Sequence, residues 1–435
     1  MPLVQTPLSV ALGPRFRGDE RVEDACAGED TCLAEEPDRS LLRWRRIPGS
    51  VWALGIVSML MDISSEMIHA LLPLYLVVGL GASALAVGVI EGIAEATALI
   101  VRIFSGALSD RLGHRKWLAA LGYGLAAVTK PVFPLAPSIG WLFAARFIDR
   151  IGKGIRGSPR DALIADVTPP DLRGASFGLR QSLDTIGAFI GPLAAVVLML
   201  LTGDNFTLVF WFAVIPAFLS FAVIALVVRE PERPAELRPV RAPLSRAEIA
   251  RLGGAFWIVA TIAGLFTLAR FSEAFLLLRA QSVGMALAFV PLILVAMNVV
   301  YALAAWPAGA LSDRIGRYVL LSCGFAILIV ADLVLAFAPN VATMVLGAAL
   351  WGLHMGLTQG VLASLVADTA PADLRGTAFG MFNLVAGVAT VAASVVAGAL
   401  WDVVGPQVTF IAGAIFTALA LAVVPLLRRS VAIPS

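Results

Sequence analysis

Between Arg146 and Asp161 the chain reads Arg146-Phe-Ile-Asp149-Arg150-Ile-Gly-Lys153-Gly-Ile-Arg156-Gly-Ser-Pro-Arg160-Asp161. Its charges fall at positions 146, 149/150, 153, 156 and 160, the i, i+3/i+4 spacing that gathers side chains on one face of a helix. Five cations accompany Asp149 and Asp161, which leaves the stripe net +3. Guanidinium forks suit carboxylate or phosphate, so one reading is an anion-binding wall in which Arg146, Asp149, Arg150, Lys153 and Arg156 contact a solute. The other is an internal ion-pair network that closes one end of a pathway. That reading carries most weight for Arg156, Arg160 and Asp161.

Acids recur nearby at helical spacing. Asp62, Glu66 and His69 lie at i, i+4, i+7, and Glu91 and Glu95 form an i, i+4 pair. Arg180 and Gln181 precede Asp184, and Arg270 precedes Glu273. The carboxylates Asp62, Glu66, Glu91, Glu95 and Glu273, with His69 as a relay, are candidate proton carriers or static partners of the cations. Arg180, Gln181, Arg270, His354 and Gln359 are candidate solute contacts. No metal site follows from the scattered His69, His114 and His354, or from Cys26, Cys32 and Cys323. No nucleophile–base pair or phosphate-binding loop points to an enzyme, and no cofactor is implied.

These residues sit in a chain of 435 residues that is 59% hydrophobic and only 14% charged. Soluble domains carry about 25% charged residues, so part of this surface must face lipid. A net charge of +2 gives no footprint for nucleic acid. Apolar runs predict twelve membrane spans, at about 51–78, 84–108, 117–136, 139–167, 175–201, 206–228, 253–280, 284–311, 318–338, 341–368, 376–402 and 406–427. Residues 1–47 are polar, without apolar period, and read as a disordered tail. The run Leu12-Gly-Pro-Arg-Phe-Arg-Gly-Asp-Glu-Arg21 resembles translated repetitive elements found between bacterial genes, which implies an over-long reading frame, with a cytoplasmic targeting arm as the alternative. Arginine and lysine cluster before span one and in the loops after spans two, four, six, eight, ten and twelve. That bias predicts both termini on the cytoplasmic face of a bacterial inner membrane.

The chain repeats itself. Gly106-Ala-Leu-Ser-Asp-Arg-Leu-Gly113 returns 203 residues later as Gly309-Ala-Leu-Ser-Asp-Arg-Ile-Gly316. Asp166 and the turn Asp171-Leu-Arg-Gly174 return 202 residues later as Asp368 and Asp373-Leu-Arg-Gly376. Six spans per copy make parallel repeats about an axis along the membrane normal. The predicted parts are bundles at 48–228 and 252–428, a linker at 229–251 and a tail at 429–435. The offset aligns the charged stretch of span four with the apolar Ala348–Ala363, so the charged stretch crosses the membrane too. Facing lipid, each charge at the bilayer centre would cost about 2.5–3.5 kcal/mol, so the stripe must face the interior.

Gly106-Ala-Leu-Ser-Asp-Arg-Leu-Gly-His-Arg-Lys116 resembles the Gly-x-x-x-Asp-Arg-x-Gly-Arg-Lys loop of the major facilitator superfamily, with His114 where Arg is usual. The resemblance covers about residues 50–430. It implies an all-α, twelve-helix membrane fold of two pseudo-symmetric six-helix bundles, and alternating access to a site near the midplane. It also implies gating roles for Asp110 and Arg111 and, in the weaker second copy, Asp313 and Arg314. Arg160 and Asp161 join them as gate candidates at the same end. Gly187-Ala-Phe-Ile-Gly191-Pro192 is similar to the Gly-x-x-x-Gly-Pro pattern of exporters and antiporters, although close helix packing alone would explain it. The expectation is a monomeric, proton-coupled secondary transporter of a small anionic or zwitterionic solute, which includes efflux by exchange. A multidrug pump and a non-transporting sensor of the same fold are the alternatives.

Overall fold

The computed structural model describes residues 46–112, 114–230, 246–371 and 374–431. The predicted tail and most of the linker lie outside the described residues. So do the side chains of Asp110, Arg111, Asp313 and Arg314. Eleven helices among the described residues are long and apolar enough to cross a membrane. The remaining long helix, Ile139–Val167, is span four: its 29 residues match the others in length and differ from them in charge.

The repeat in sequence is a repeat in packing. Span one (Gly49–Leu74, continued by a π-turn to Gly79) lies against span five (Arg173–Thr202) and span six (Phe206–Leu226). Span seven packs in the same way on span eleven (Arg375–Val403) and span twelve (Pro406–Val431). Span four is wedged between span two (Ala84–Leu112) and span three (Arg115–Thr129). Span ten (Val341–Thr369) sits likewise between span eight (Leu292–Ile315) and span nine (Arg317–Ala336). The repeated aspartates have one job in both halves: Asp166 pairs with Arg115 at 2.8 Å, and Asp368 pairs with Arg317 at the equivalent place.

Glycine lets span four approach so closely. A Cβ on Gly122 would fall 2.7 Å from the Gly152 carbonyl, and one on Gly154 would fall 2.9 Å from that of Ala98. Gly187 and Gly191 do the same for span five, against the backbone of span one behind Asp62 and Glu66. The Gly-x-x-x-Gly-Pro pattern is thus a packing seam here.

Span seven departs from the expected single helix. It is Gly254–Ala269, a break, then Ala274–Ser282. The amide of Arg270 ends the first piece by donating to the carbonyls of Phe266 and Thr267, both at 3.1 Å. The Ser272 hydroxyl accepts from the Ala274 amide at 3.2 Å and starts the second. A short polar side chain that bonds the local backbone competes with the helix, which is why the break falls at this serine.

The two halves meet chiefly along spans two and eleven, with smaller contacts of span five on span eight and of span one on span seven. The seam runs from Ala84 against Gly398 to Ile100 against Gly387. At its outer end the Asp402 carboxylate accepts from the amides of Ala84 (2.9 Å) and Leu85 (2.8 Å). Among the described residues, these are the side-chain hydrogen bonds that join the halves, and every ion pair lies within one half. The halves part beyond Ile100 and Gly387, toward the end that carries the repeated loops.

Candidate functional site

Span four delivers its charges to a set of partners. The Arg146 guanidinium, fully buried, lies 2.7 Å from Glu91 and 3.9 Å from Glu95. Asp149 accepts from Lys130 at 2.8 Å, and Lys130 also reaches the Ser65 hydroxyl at 3.1 Å. Arg150 meets Glu95 at 3.1 Å and Asp149 at 3.4 Å. Arg156 lies 4.0 Å from Asp62 and 5.0 Å over the Tyr123 ring. Nearer the helix end, Arg160 contacts Asp161 (3.0 Å), Asp184 (3.8 Å) and the Ser58 hydroxyl. Arg180 ties Asp184 (2.9 Å) to Asp161 (3.3 Å) and donates to Gln181, while Arg102 adds a third cation at Asp161.

Carboxylates from spans one, two and five thus pair with the span-four cations, while Lys130, Arg180 and Arg102 add positive charge to the same network. Breaking such a buried pair by removing one partner costs about 3–5 kcal/mol, since it strands a charge. Lys153 stands apart. Its side chain is exposed to a cleft of about 540 Å³ between the halves, and no described carboxylate lies within ion-pair distance.

The opposite wall comes from the second half. The break in span seven turns Arg270, Ser272 and Glu273 toward the same cleft. Arg270 rests over the Phe266 ring at 5.7 Å, without an ion pair to a described carboxylate. Gln359 and Asn298 add neutral hydrogen-bonding groups. On the facing wall Glu66 lies 3.5 Å from His69, whose other ring nitrogen is 3.9 Å from Glu91. The cleft thus gathers Glu66, His69, Glu95, Arg150, Lys153, Arg270, Glu273 and Gln359 out of the sequence candidates. Arg146, Asp149 and Glu91 stand behind this wall, fully buried. Asp62, Arg156, Arg160, Asp161, Arg180 and Gln181 form the separate cluster toward the loop end. His354 lies behind the opposite wall, edge-on to Trp351 at 5.5 Å and to Phe266 at 6.0 Å.

Sequence reasoning missed Lys130, which lies at the end of the apolar span three. The signal was a lone lysine before Pro131 in a membrane helix, where an ionisable residue is seldom idle. It also missed Arg279. That guanidinium donates to the carbonyls of Leu335 (2.9 Å), Ala336 (3.0 Å) and Ala338 (3.1 Å), and so satisfies the buried C-terminal carbonyls of span nine.

A family model described as Major Facilitator Superfamily matches residues 54–278 and 274–434. An uncharacterized MFS-type transporter of Methanocaldococcus jannaschii is 32% identical over 380 residues, covering 85% of this chain and 93% of the relative. Among solved structures, a mutant of the nucleoside transporter NupG superposes with a TM-score of 0.74 at 14% identity, over 87% of this chain and 99% of that one. A bacterial homolog of the human lysosomal transporter Spinster, in an inward-facing and occupied conformation, gives 0.72 at 16% identity, over 91% and 98%. At these identities the two structures speak for the fold.

Proposed function

The chain belongs to the major facilitator superfamily, and from that premise we propose that it carries a small anionic or zwitterionic solute by alternating access, coupled to protons. The observation that supports the solute class is the pair Lys153 and Arg270. They are cations from opposite halves that face one cleft, and neither is held by a described carboxylate. An anion bridging them would bind both halves at once, as a site at the interface of two repeats requires. Neutral hydrogen-bonding groups such as Gln359 and Asn298 favour a hydrophilic body on the solute over a bulky apolar drug. Glu66, with His69 beside it and Glu273 across the cleft, is the proton carrier in this reading. It is the carboxylate that both lines the cleft and contacts an imidazole able to relay a proton.

In this reading the basic loops lie in the cytoplasm of a bacterium, the protein sits in its inner membrane, and the cleft opens inward. The Asp110–Arg111 and Asp313–Arg314 loops serve as gates at that end, together with Arg160 and Asp161.

Purified protein screened by thermal shift against small carboxylates, amino acids and phosphate esters should be stabilised by members of that panel and not by organic cations. Lys153→Gln should remove the shift and leave the ligand-free melting temperature in place. Stabilisation by cations, or an unchanged shift in Lys153→Gln, removes the anion reading. With a ligand in hand, Glu66→Gln in proteoliposomes should lose accumulation driven by a pH gradient and keep exchange at equal pH. Wild-type accumulation in that variant would move coupling away from Glu66.

A further inference from the structure

The repeat that relates the halves carries one position at which charge is exchanged. Lys130 and Asp149 form the buried pair of the first half; 202 residues on stand Asp332 and Trp351. All four are fully buried. In the second half, however, no pair forms. Both oxygens of Asp332 and the indole nitrogen of Trp351 are without a hydrogen-bond partner. An isolated carboxylate in such a place is very costly when ionised, unless a cation or a proton joins it.

The surroundings of Asp332 show which cation could come. A Cβ on Gly413 of span twelve would fall 2.8 Å from an Asp332 oxygen, 3.2 Å from the Phe271 ring and 3.3 Å from the Ala269 carbonyl. Asp332 therefore lies directly behind the break in span seven, in room that Gly413 leaves. The ionisable groups on the elements around it are His354 and Asp368 on span ten, Arg270, Glu273 and Arg279 on span seven, Tyr301 on span eight, Arg317, Tyr318 and Cys323 on its own span, and, with side chains outside the described residues, Asp313, Arg314, Arg428 and Arg429 at the ends of spans eight and twelve. His354 sits among aromatic rings, and Asp368 pairs with Arg317 at the far end of span nine. Arg279 is engaged with three backbone carbonyls, and Glu273 faces the cleft. Arg270 is adjacent to Ala269 in the chain, and its Nε is buried without an acceptor.

We propose that Asp332 is a second proton-binding site of the carrier, in addition to Glu66 of the cleft, and that its deprotonation draws Arg270 out of the solute cleft. With the proton bound, Arg270 stays where it is seen and helps Lys153 hold an anion. With the proton gone, the carboxylate competes for the same guanidinium. Proton and anion then bind with positive coupling, and the coupling is reciprocal. The second step rests on the reading of the cleft given above; the titration of Asp332 does not.

The test uses the full-length protein in phosphatidylcholine liposomes without any solute, followed by infrared difference spectra from neutral to alkaline pH. Wild type should lose the stretch of a protonated carboxyl group, a change absent in Asp332→Asn. Arg270→Gln should move that loss to more alkaline pH by about one to three pH units, the effect of removing a nearby opposite charge. Lys153→Gln should leave it in place. A difference spectrum in Asp332→Asn equal to wild type overturns the proposal. So does a midpoint unmoved by Arg270→Gln, or one that follows sodium concentration, which would mark a metal-cation site. Were Asp332→Asn not to insert, the Arg270→Gln arm would still decide. The solute screen addresses the cleft and this titration addresses Asp332, so the two readings fail separately.

Discussion

At the scale of single residues, most of the ionisable groups of the first half are held by one another. Arg146 and Glu91 are the clearest case, at 2.7 Å with almost no exposure on either side. Arg146→Met alone should lower stability by about 3–5 kcal/mol, because Glu91 is left charged and buried. The double variant Arg146→Met/Glu91→Leu should recover most of that loss, and chemical denaturation in detergent would measure both. A single variant as stable as wild type would mean that the pair contributes nothing to the stability of the fold. Lys153 behaves in the opposite way: it strands no partner when replaced, so its loss should appear in binding rather than in melting.

At the scale of elements, span four depends on the bare backbones of Gly122 and Gly152. Gly122→Val should cost about 1–3 kcal/mol by forcing spans three and four apart, whereas Gly174→Ala, with nothing within 4 Å, should be neutral. Thermal unfolding of the two variants side by side checks this. The existence and order of the spans were legible in the sequence because hydropathy and the 202-residue offset agree. Even the crossing of span four, too charged for a composition test, was readable from its apolar counterpart in span ten. The break in span seven was not. Arg270 to Glu273 carries no Pro or Gly, and the break arises from a local serine cap and a contact from the Ser272 amide to Ser394 in another span. The pairing of the span-four cations was likewise hidden. A one-dimensional spacing shows that charges share a face, but not which carboxylates of spans one, two and five come close to it. Lys130 and Asp332 escaped because each stands alone in the apolar stretch of its own span, and only superposing the halves brings them to one position.

At the scale of the whole molecule, the two halves are joined on one side and parted on the other. Asp402 is the polar element of that closure, accepting from two amides at the start of span two that have no partner within their own helix. Asp402→Ala should weaken the closed end by about 1 kcal/mol, a shift of roughly fivefold in the population open at that end. A cysteine at Ser394, buried in the C-terminal half at the inter-half seam, would report it in a background lacking Cys26, Cys32 and Cys323. It should react several-fold faster with a small maleimide when Asp402 is replaced. Equal rates would assign the closure to packing of the small residues alone.

The same carboxylate has a bearing on how the protein is made. Asp402 lies 318 residues after Ala84, so the ribosome has nearly finished the chain before the start of span two can receive its cap. The first six spans, with their dense internal pairing, can assemble while the rest is still being synthesised. Their seam for the second half must wait, with its amide groups solvated, until span eleven emerges. Truncation before Asp402 should therefore yield a first half that inserts and pairs its charges, yet remains open to proteolysis at the turn between spans one and two.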